Sequence, residues 1–379
     1  MHSYGRAQFL LKNVSHAALE WPSALKKSLV SMHLDRVVPD AICISGNGPT
    51  LVSTDSTTLL WNKETKHTHP ASLFIPRILE FRERHPDAWN SSENIFSGPE
   101  YLIYLLTDSK ITILPEERFK RAYWSEEVLK EAFLEDAIKK LPPFIKPSTL
   151  AGYLTRDAAE IFSLPESLPV YAGAPDFVSA LVGTATLTPG RLCDRAGSSE
   201  GINFCTQKPL TSTGIRTLPS VVPGLWNESV LLPQSGSCFS DFKMRIERER
   251  GHEVSYSALV DSILSDIKNN KENDGTILLN KIALDVKNAV NSLKEVAEKN
   301  GLNFPDTMTV TGGQGLHGGW NQFKANVTGI KIQVLSCKDA ELIGDAIFAF
   351  TGMGLYSSIT EASKALCKIQ ETFIPKEAK

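Results

Sequence analysis

The segment from Val170 to Gly201 constrains the fold more than any other part of this 379-residue sequence. The apolar run Val170–Ala172 leads into Gly173, and Asp176 follows after a short turn. A small-residue helix and a Pro-Gly turn come next, and a further strand ends at residues 197–199. This order predicts an α/β fold with a carboxylate at one strand end and a small-residue turn at another. Phosphoryl transfer needs both features. A carboxylate can accept the proton of the attacking hydroxyl, and backbone N–H groups of a small-residue turn can bind the phosphate oxygens nearby.

A second informative segment lies at residues 309–315, where a β-branched run enters Gly-Gly-Gln-Gly. It is followed by Trp-Asn-Gln at 320–322 and by Ala-Asn-Val-Thr-Gly at 325–329. Glycine has no Cβ, so a backbone of this kind can approach a planar or anionic ligand closely. The pattern therefore indicates a second ligand-binding turn.

Together these segments resemble the FGGY family of carbohydrate kinases, which includes xylulokinase, gluconokinase and glycerol kinase. The matching segments are VYAGAPDFVSALVG at 170–183, GSS at 197–199, VVPGLW at 221–226, TGGQG at 311–315, WNQFKANVTG at 320–329 and the stretch Glu341–Ala362. In order and spacing the resemblance covers roughly residues 40 to 365. It implies a two-lobed actin/hexokinase-like ATPase fold of the ribonuclease H-like class. Residues 1–185 would form the sugar-binding N-terminal lobe, ending with the catalytic Asp, and residues 186–379 the nucleotide-binding C-terminal lobe.

Complete family members begin with a strand and hairpin that carry an Asp-x-Gly-Thr signature, which this sequence lacks. We therefore expect an incomplete, truncated N-terminal lobe. Two explanations stay open. The chain is either the product of a shortened reading frame of an active kinase or a degenerate relative that binds nucleotide or sugar without turnover.

The resemblance implies a role for each residue of the predicted site. Asp176 would be the catalytic base and would contact the sugar; its alternative role is a helix N-cap, and the two are compatible. The β- and γ-phosphates would be held by Gly197, Ser198 and Ser199, for which a simple tight turn is the alternative. The adenosine would contact Gly312, Gly313, Gln314, Gly315 and Asn321.

The sugar-binding motif of the family, Trp-x-Asp-x-Arg, is altered in this sequence. Trp61 is kept, but Lys63 and Thr65 stand where the family has its acid and its base. Trp61 is therefore the predicted sugar-binding residue of this segment, and the identity of the sugar stays undetermined. His67 and His69 form an isolated His-x-His pair without further ligands, so no metal-binding residue is predicted.

The function expected from the resemblance is transfer of the ATP γ-phosphate to a hydroxyl of a sugar or polyol, with ATP and Mg²⁺ as cofactors. The alternative is a catalytically impaired relative. The expected partners are the sugar or polyol and ATP, and a homo-oligomer stays open because the shortened lobe would expose a sheet edge.

Composition excludes several other classes of protein. The formal net charge is −3 and no dense Lys/Arg block occurs, so a nucleic-acid partner is not expected. No apolar run approaches the length of a membrane span, and no secretory signal is recognisable. Six scattered cysteines without a C-x-x-C spacing favour free thiols in a reducing compartment, so we expect a cytoplasmic protein.

Apolar periodicity predicts helices over residues 72–84, 98–108, 125–140, 254–268 and 275–300, with a last major helix from 340. Strands are predicted over 37–45, over a partner at 50–54, and over 330–335, with several short strands between 188 and 233.

Overall fold

The computed structural model describes residues 4–8, 13–32 and 37–376, and it divides into two compact units. Unit 1 comprises the described residues up to Ser179 together with Asp345–Ile359. Unit 2 comprises Ala180–Gly344 together with the described residues from Thr360 onward. The sequence-based division at residue 185 gave each lobe one continuous stretch, whereas here residues 345–359 pack with the N-terminal part of the chain. The assignment of sugar to one lobe and nucleotide to the other stays a prediction.

Unit 1 is a mixed α/β unit with short strands. Its strands are β1 (Ile42–Gly46), β2 (Leu51–Ser53), β3 (Thr58–Leu59), β4 (Ile95–Ser97), β5 (Thr112–Ile113), β6 (Phe144–Ile145), β7 (Leu150–Tyr153) and β8 (Pro169–Pro175). Its helices are α1 (Trp21–Ser31), α2 (Ile75–Arg84), α3 (Pro86–Ser91), α4 (Gly98–Thr107), α5 (Glu126–Glu131), α6 (Arg156–Phe162) and α7 (Asp176–Gly183), which continues into unit 2. Short 3₁₀ segments cover Val14–Glu20, Glu117–Arg121 and Glu135–Lys139.

The strand that leads to Asp176 lies at the centre of a three-stranded sheet of order β1-β8-β7. β8 pairs in parallel with β1, and Gly46 of β1 aligns with Pro175 of β8. A side chain at Gly173 would collide with the carbonyl of Ile44, so this close approach requires glycine. Apolar residues of β8 pack against α4 and α6 in one core, which holds the end of β8 in place.

Two predictions for unit 1 were wrong. Residues 50–54 do form a strand, β2, but β2 pairs with β3 and β4 rather than with the strand before it. The helix predicted over 125–140 stops at Glu131 because Phe133 adopts a left-handed backbone conformation with φ 55°. The helices predicted over 72–84 and 98–108 are confirmed as α2 and α4.

Unit 2 is built on one larger sheet. Its strands are β9 (Leu192–Ala196), β10 (Glu200–Thr206), β11 (Arg216–Pro219), β12 (Trp226–Leu232), β13 (Thr307–Thr311), β14 (Lys331–Leu335) and β15 (Ile369–Phe373). Its helices are α8 (Gly236–Arg250), α9 (Tyr256–Lys268), α10 (Asp274–Lys299), α11 (Gly318–Thr328), α12 (Ala340–Gly352), which continues into unit 1, and α13 (Ile359–Leu366). A 3₁₀ turn covers Gly313–Leu316.

The seven strands of this sheet run in the order β11-β12-β10-β9-β13-β14-β15. β13 pairs in parallel with both β9 and β14, whereas the outer strands pair antiparallel. Helix α10 covers one face through a stripe of buried residues that includes Val286, Val290 and Leu293. This stripe follows the spacing of three and four residues that the sequence predicts.

Most elements predicted for unit 2 are confirmed: the short strands between 188 and 233, helices α9, α10 and α12, and strand β14. Helix α8 and strand β15 were not predicted. All six cysteines are free thiols. Over the described residues, no helix has both the length and the apolar character needed to span a bilayer.

The core beneath α10 provides a direct test of this packing. Leu293 is fully buried, whereas Leu284 on the same helix is 51% exposed. We expect Leu293→Ala to lower the free energy of unfolding by about 2–5 kcal/mol, because it leaves a cavity in the core. The matched control Leu284→Ala should change it by less than about 1 kcal/mol. Urea denaturation measures both, and equal losses in the two variants would contradict the packing.

Candidate active site

The predicted phosphate turn lies between β9 and β10 of unit 2. These strands form an antiparallel hairpin in which Ala196 pairs with Glu200, so residues 197–199 make a three-residue connection. The Gly197 N–H donates to the Ser199 carbonyl at 3.1 Å, which closes the turn. All three residues are exposed, so the side chains of Ser198 and Ser199 are accessible to a ligand.

The start of helix α8 packs directly against this turn. The Ser237 N–H donates to the Ser198 carbonyl at 2.8 Å. Gly236 lies so close to the carbonyl of Gly197 that no side chain would fit there. The first N–H groups of a helix are not used within it, and they favour anions. The turn therefore lies beside a helix N-terminus.

The predicted adenosine loop reaches the same edge of the sheet. Since β13 runs parallel to β9, with Thr311 aligned to Arg195, the residues after both strands emerge side by side. Gly312 has φ +86°, and a Cβ on it would lie 2.6 Å from the Ala196 carbonyl oxygen. A Cβ on Gly313 would meet no atom within 4 Å, so this residue borders open space.

Gln314 connects the loop to the turn. Its Nε2 donates to the Gly197 carbonyl at 3.3 Å and to the Ser235 hydroxyl at 3.1 Å. Its Oε1 accepts from the Trp320 indole N–H at 3.1 Å. The side chain is thus held from both ends, which fixes the position of the loop relative to the turn.

Asn321 is buried beneath the loop rather than exposed beside it. It is 1% exposed, and its Nδ2 donates to the Gly315 carbonyl at 2.9 Å. Its Oδ1 has no hydrogen-bond partner among the described residues. The geometry shows that Asn321 supports the loop backbone; its predicted contact with adenosine stays a prediction.

A buried ionic cluster beneath this edge was not predicted from the sequence. Lys324 Nζ lies 2.6 Å from Asp194 Oδ2 and 3.4 Å from Glu200 Oε1, and all three side chains are fully buried. Burial and the neighbouring Glu200 carboxylate raise the pKa of Asp194 well above its usual range. Burial alone would lower the pKa of Lys324, but the two carboxylates raise it. One ammonium can balance one carboxylate charge, and burial together with the second carboxylate is the reason that the pKa of Asp194 is raised rather than lowered.

Asp176 lies in unit 1 at the first residue of α7, directly after β8. Its Oδ1 accepts from the Phe177 N–H at 2.6 Å, and the residue is partly exposed. Since Pro175 aligns with Gly46, the loop after β1 leaves the sheet at the same edge as Asp176. Ligands of parallel sheets commonly bind outside the carboxyl ends of the strands.

Asp345 of α12 holds the elements next to Asp176. Its Oδ2 accepts from the Ser45 hydroxyl at 2.7 Å, and its Oδ1 accepts from the Ser179 hydroxyl at 2.9 Å. Ser179 lies one helical turn after Asp176, so Asp345 connects the end of β1 to helix α7. This contact has no counterpart in the sequence-based site.

Trp61 of unit 1 is 49% exposed on a rigid loop. The buried Arg77 donates to the main-chain carbonyls of Leu60, Trp61 and Lys63. Burial of a guanidinium is tolerated because all of these carbonyls accept from it. Trp61 is therefore presented on a loop whose backbone is fixed from within unit 1.

The structure brings the predicted phosphate turn and adenosine loop together at one edge of unit 2, and it places Asp176 and Trp61 in unit 1. The exposed turn, the helix N-terminus and the two glycines that a Cβ would obstruct fit a nucleotide's phosphates and nucleoside. Among the described residues, no group of three or more His, Cys, Asp or Glu side chains is arranged to hold a metal ion.

Comparison with known proteins agrees with this geometry. The sequence model of the "FGGY family of carbohydrate kinases, C-terminal domain" matches residues 278–353, which include the 312–315 loop. An autoinducer-2 kinase of Salmonella paratyphi B is 24% identical over 348 residues, spanning 78% of this chain. Over residues 278–353 the chain is therefore similar to the C-terminal domain of FGGY carbohydrate kinases. It spans 63% of the length of that relative.

Solved structures confirm the expected two-lobed actin/hexokinase-like fold. The xylulose kinase of Rhodospirillum rubrum matches with a TM-score of 0.70 at 14% identity, over 98% of this chain and 88% of that one. The glycerol kinase of Plasmodium falciparum with ADP matches with a TM-score of 0.74 at 16% identity, with the same coverage. The gluconate kinase of Lactobacillus acidophilus matches with a TM-score of 0.73 at 11% identity, over 98% and 87%. At these identities the likeness shows the fold alone.

Two adjacent glycines provide a test of the loop. Gly312→Ala should lower the free energy of unfolding by about 1–3 kcal/mol, because a left-handed backbone and the Ala196 carbonyl both oppose a Cβ there. Gly313→Ala is the matched control and should stay within about 0.5 kcal/mol, since its surroundings are open. Chemical denaturation compares the two. Equal destabilisation would show that Gly312 does not adopt this conformation.

The raised pKa of Asp194 predicts a pH dependence of stability. An unfolded aspartate loses its proton near pH 4, roughly, while the folded protein keeps it to a higher pH. The unfolding free energy should therefore fall as pH rises from the unfolded to the folded pKa of Asp194. Asp194→Asn, which imitates the protonated side chain, should remove this part of the decline. Urea denaturation at several pH values measures the difference, and identical slopes would contradict it.

Proposed function

We propose that this protein is an ATP-dependent carbohydrate kinase that transfers the γ-phosphoryl group to a hydroxyl of a sugar or polyol. The observation that carries the proposal is the convergence of the 197–199 turn, the N-terminus of α8 and the 312–315 loop at one edge of the unit 2 sheet. The relatives and structural neighbours are named as kinases of autoinducer-2, xylulose, gluconate and glycerol, all polyhydroxylated acceptors.

The nucleotide side of the reaction follows from the chemistry of unit 2. Backbone N–H groups and hydroxyls of Ser198 and Ser199 can donate to phosphate oxygens, and the nearby helix N-terminus favours their negative charge. The 312–315 backbone can approach the nucleoside, because three of its four residues are glycines. ATP would thus be bound mainly by main-chain groups.

The acceptor side depends on Asp176. As the acceptor oxygen bonds to the γ-phosphorus, the bond from that phosphorus to the ADP oxygen breaks, and the hydroxyl proton passes to the Asp176 carboxylate. Asp345 and Ser179 hold the helix that carries this carboxylate. When bound with the nucleotide, Mg²⁺ would offset charge on the phosphates. Trp61 offers an exposed ring for the apolar face of a sugar.

Asp176→Asn tests the proposal directly. ADP release should be measured by a coupled assay over a panel of xylulose, gluconate, glycerol and autoinducer-2. We expect turnover on the accepted substrate to fall by about 10²–10⁴-fold, because the amide cannot accept the proton. The Kd for ADP should be unchanged.

Asp157→Asn is the matched control, because Asp157 is exposed and also lies in the first turn of a helix. It should keep wild-type turnover. Unchanged turnover in Asp176→Asn would remove Asp176 from the reaction. Nucleotide binding by the wild type without turnover on any acceptor would favour the non-catalytic alternative.

A further inference from the structure

The Lys324 cluster is costly to bury, and stability alone does not explain its presence. Each of its three ionisable groups loses its hydration in the fully buried site. Replacing such a buried cluster by apolar side chains is often neutral or stabilising. The cluster lies beneath the sheet edge that carries the 197–199 turn and the 312–315 loop. This position distinguishes it from an ordinary part of the core.

Glu200 links the cluster to the surface segments of the site. It directly follows the 197–199 turn and pairs with Ala196 across the hairpin. Its Oε2 accepts from the Ser235 hydroxyl, directly before α8, and from Gln314 Nε2 at 3.4 Å. The residue directly after the turn thus contacts, through its carboxylate, Ser235 before α8 and Gln314 of the 312–315 loop.

Lys324 orients this carboxylate from below. Its ammonium lies 3.4 Å from Glu200 Oε1, which leaves Oε2 for Ser235 and Gln314. Trp320 completes the enclosure, because its ring lies 5.7 Å from Lys324 Nζ while its indole N–H donates to Gln314. A glutamine at position 200 has only one acceptor oxygen and could not accept from all of these donors.

We propose that Lys324, Asp194 and Glu200 are positioning residues for nucleotide binding. The buried ammonium fixes the carboxylate of Glu200, the residue directly after the 197–199 turn, and this carboxylate holds Ser235 before α8 and Gln314 of the loop. This inference rests on the proposed function and deepens it. Asp194 accepts from the Lys324 ammonium at 2.6 Å, whereas Glu200 connects that ammonium to Ser235 and Gln314. The three residues thus differ in the effect expected when each is replaced.

The test compares variants for ADP affinity by isothermal titration and for the KM values of both substrates. Lys324→Met and Glu200→Gln should raise the Kd for ADP and the KM for ATP by about tenfold or more, while the KM for the acceptor stays unchanged. Asp194→Asn should remain within about threefold of wild type, because the amide oxygen can still accept from Lys324. Lys331→Met is the matched control, since Lys331 makes an exposed ion pair with Asp306 in the same unit.

If the cluster had only a structural role, its replacement would lower the free energy of unfolding without a selective effect on the Kd for ADP or the KM for ATP. The triple variant Asp194→Leu, Glu200→Met, Lys324→Met replaces the cluster by apolar side chains and serves if Lys324→Met does not fold. Weak ADP binding by this folded triple variant supports the positioning role, and wild-type affinity overturns it. Equal weakening of both substrates in Lys324→Met would overturn it as well. If the wild type binds no ADP, the proposed function itself fails.

Discussion

The parallel pairing of β9 with β13 is the constraint on which the candidate nucleotide site depends. Parallel neighbours end at the same edge of a sheet, so the residues after Ala196 and Thr311 leave side by side. Gly312 can then approach the Ala196 carbonyl at a distance that no other residue would tolerate. The central position of these strands, covered by α10, keeps this edge in a fixed place.

The polar interior beneath that edge completes the arrangement. Main-chain groups bind phosphates well only when they are held in place, and the turn at 197–199 has few side-chain contacts of its own. Gln314 contacts the turn at the Gly197 carbonyl, Ser235 and Glu200 hold Gln314, and the Lys324 ammonium lies beside Glu200 below. In unit 1 a comparable role falls to Asp345, which links the end of β1 to the helix that begins with Asp176.

The sequence pattern predicted the turns at the ends of strands, but it did not predict the buried side chains that hold those turns in place. Glycines report close approaches of the backbone, so Gly312 and the 197–199 turn could be recognised from their pattern. The Lys324 cluster could not, because Lys324 lies 130 residues after Asp194 and 124 after Glu200 and meets them only when α11 packs against β9 and β10. The sequence pattern also did not show that the Asn321 side chain donates to the Gly315 carbonyl beneath the loop.

The errors in secondary structure have local causes. Helix α5 ends in a Schellman-type turn, with Phe133 N–H bonded to the Lys130 carbonyl and Leu134 N–H to the Leu129 carbonyl. Glycine usually occupies the left-handed position of such a turn, but here that residue is Phe133, which does not signal a helix end. Helix α8 was missed because its many charges conceal the apolar spacing of Phe239, Phe242 and Ile246, which pack into one cluster.

A crystal structure of this protein with ADP would test the central claim most directly. The account predicts that the diphosphate contacts the main chain of residues 197–199 and that the nucleoside lies against residues 312–315. ADP bound elsewhere, or a diphosphate out of hydrogen-bond range of that turn, would contradict it.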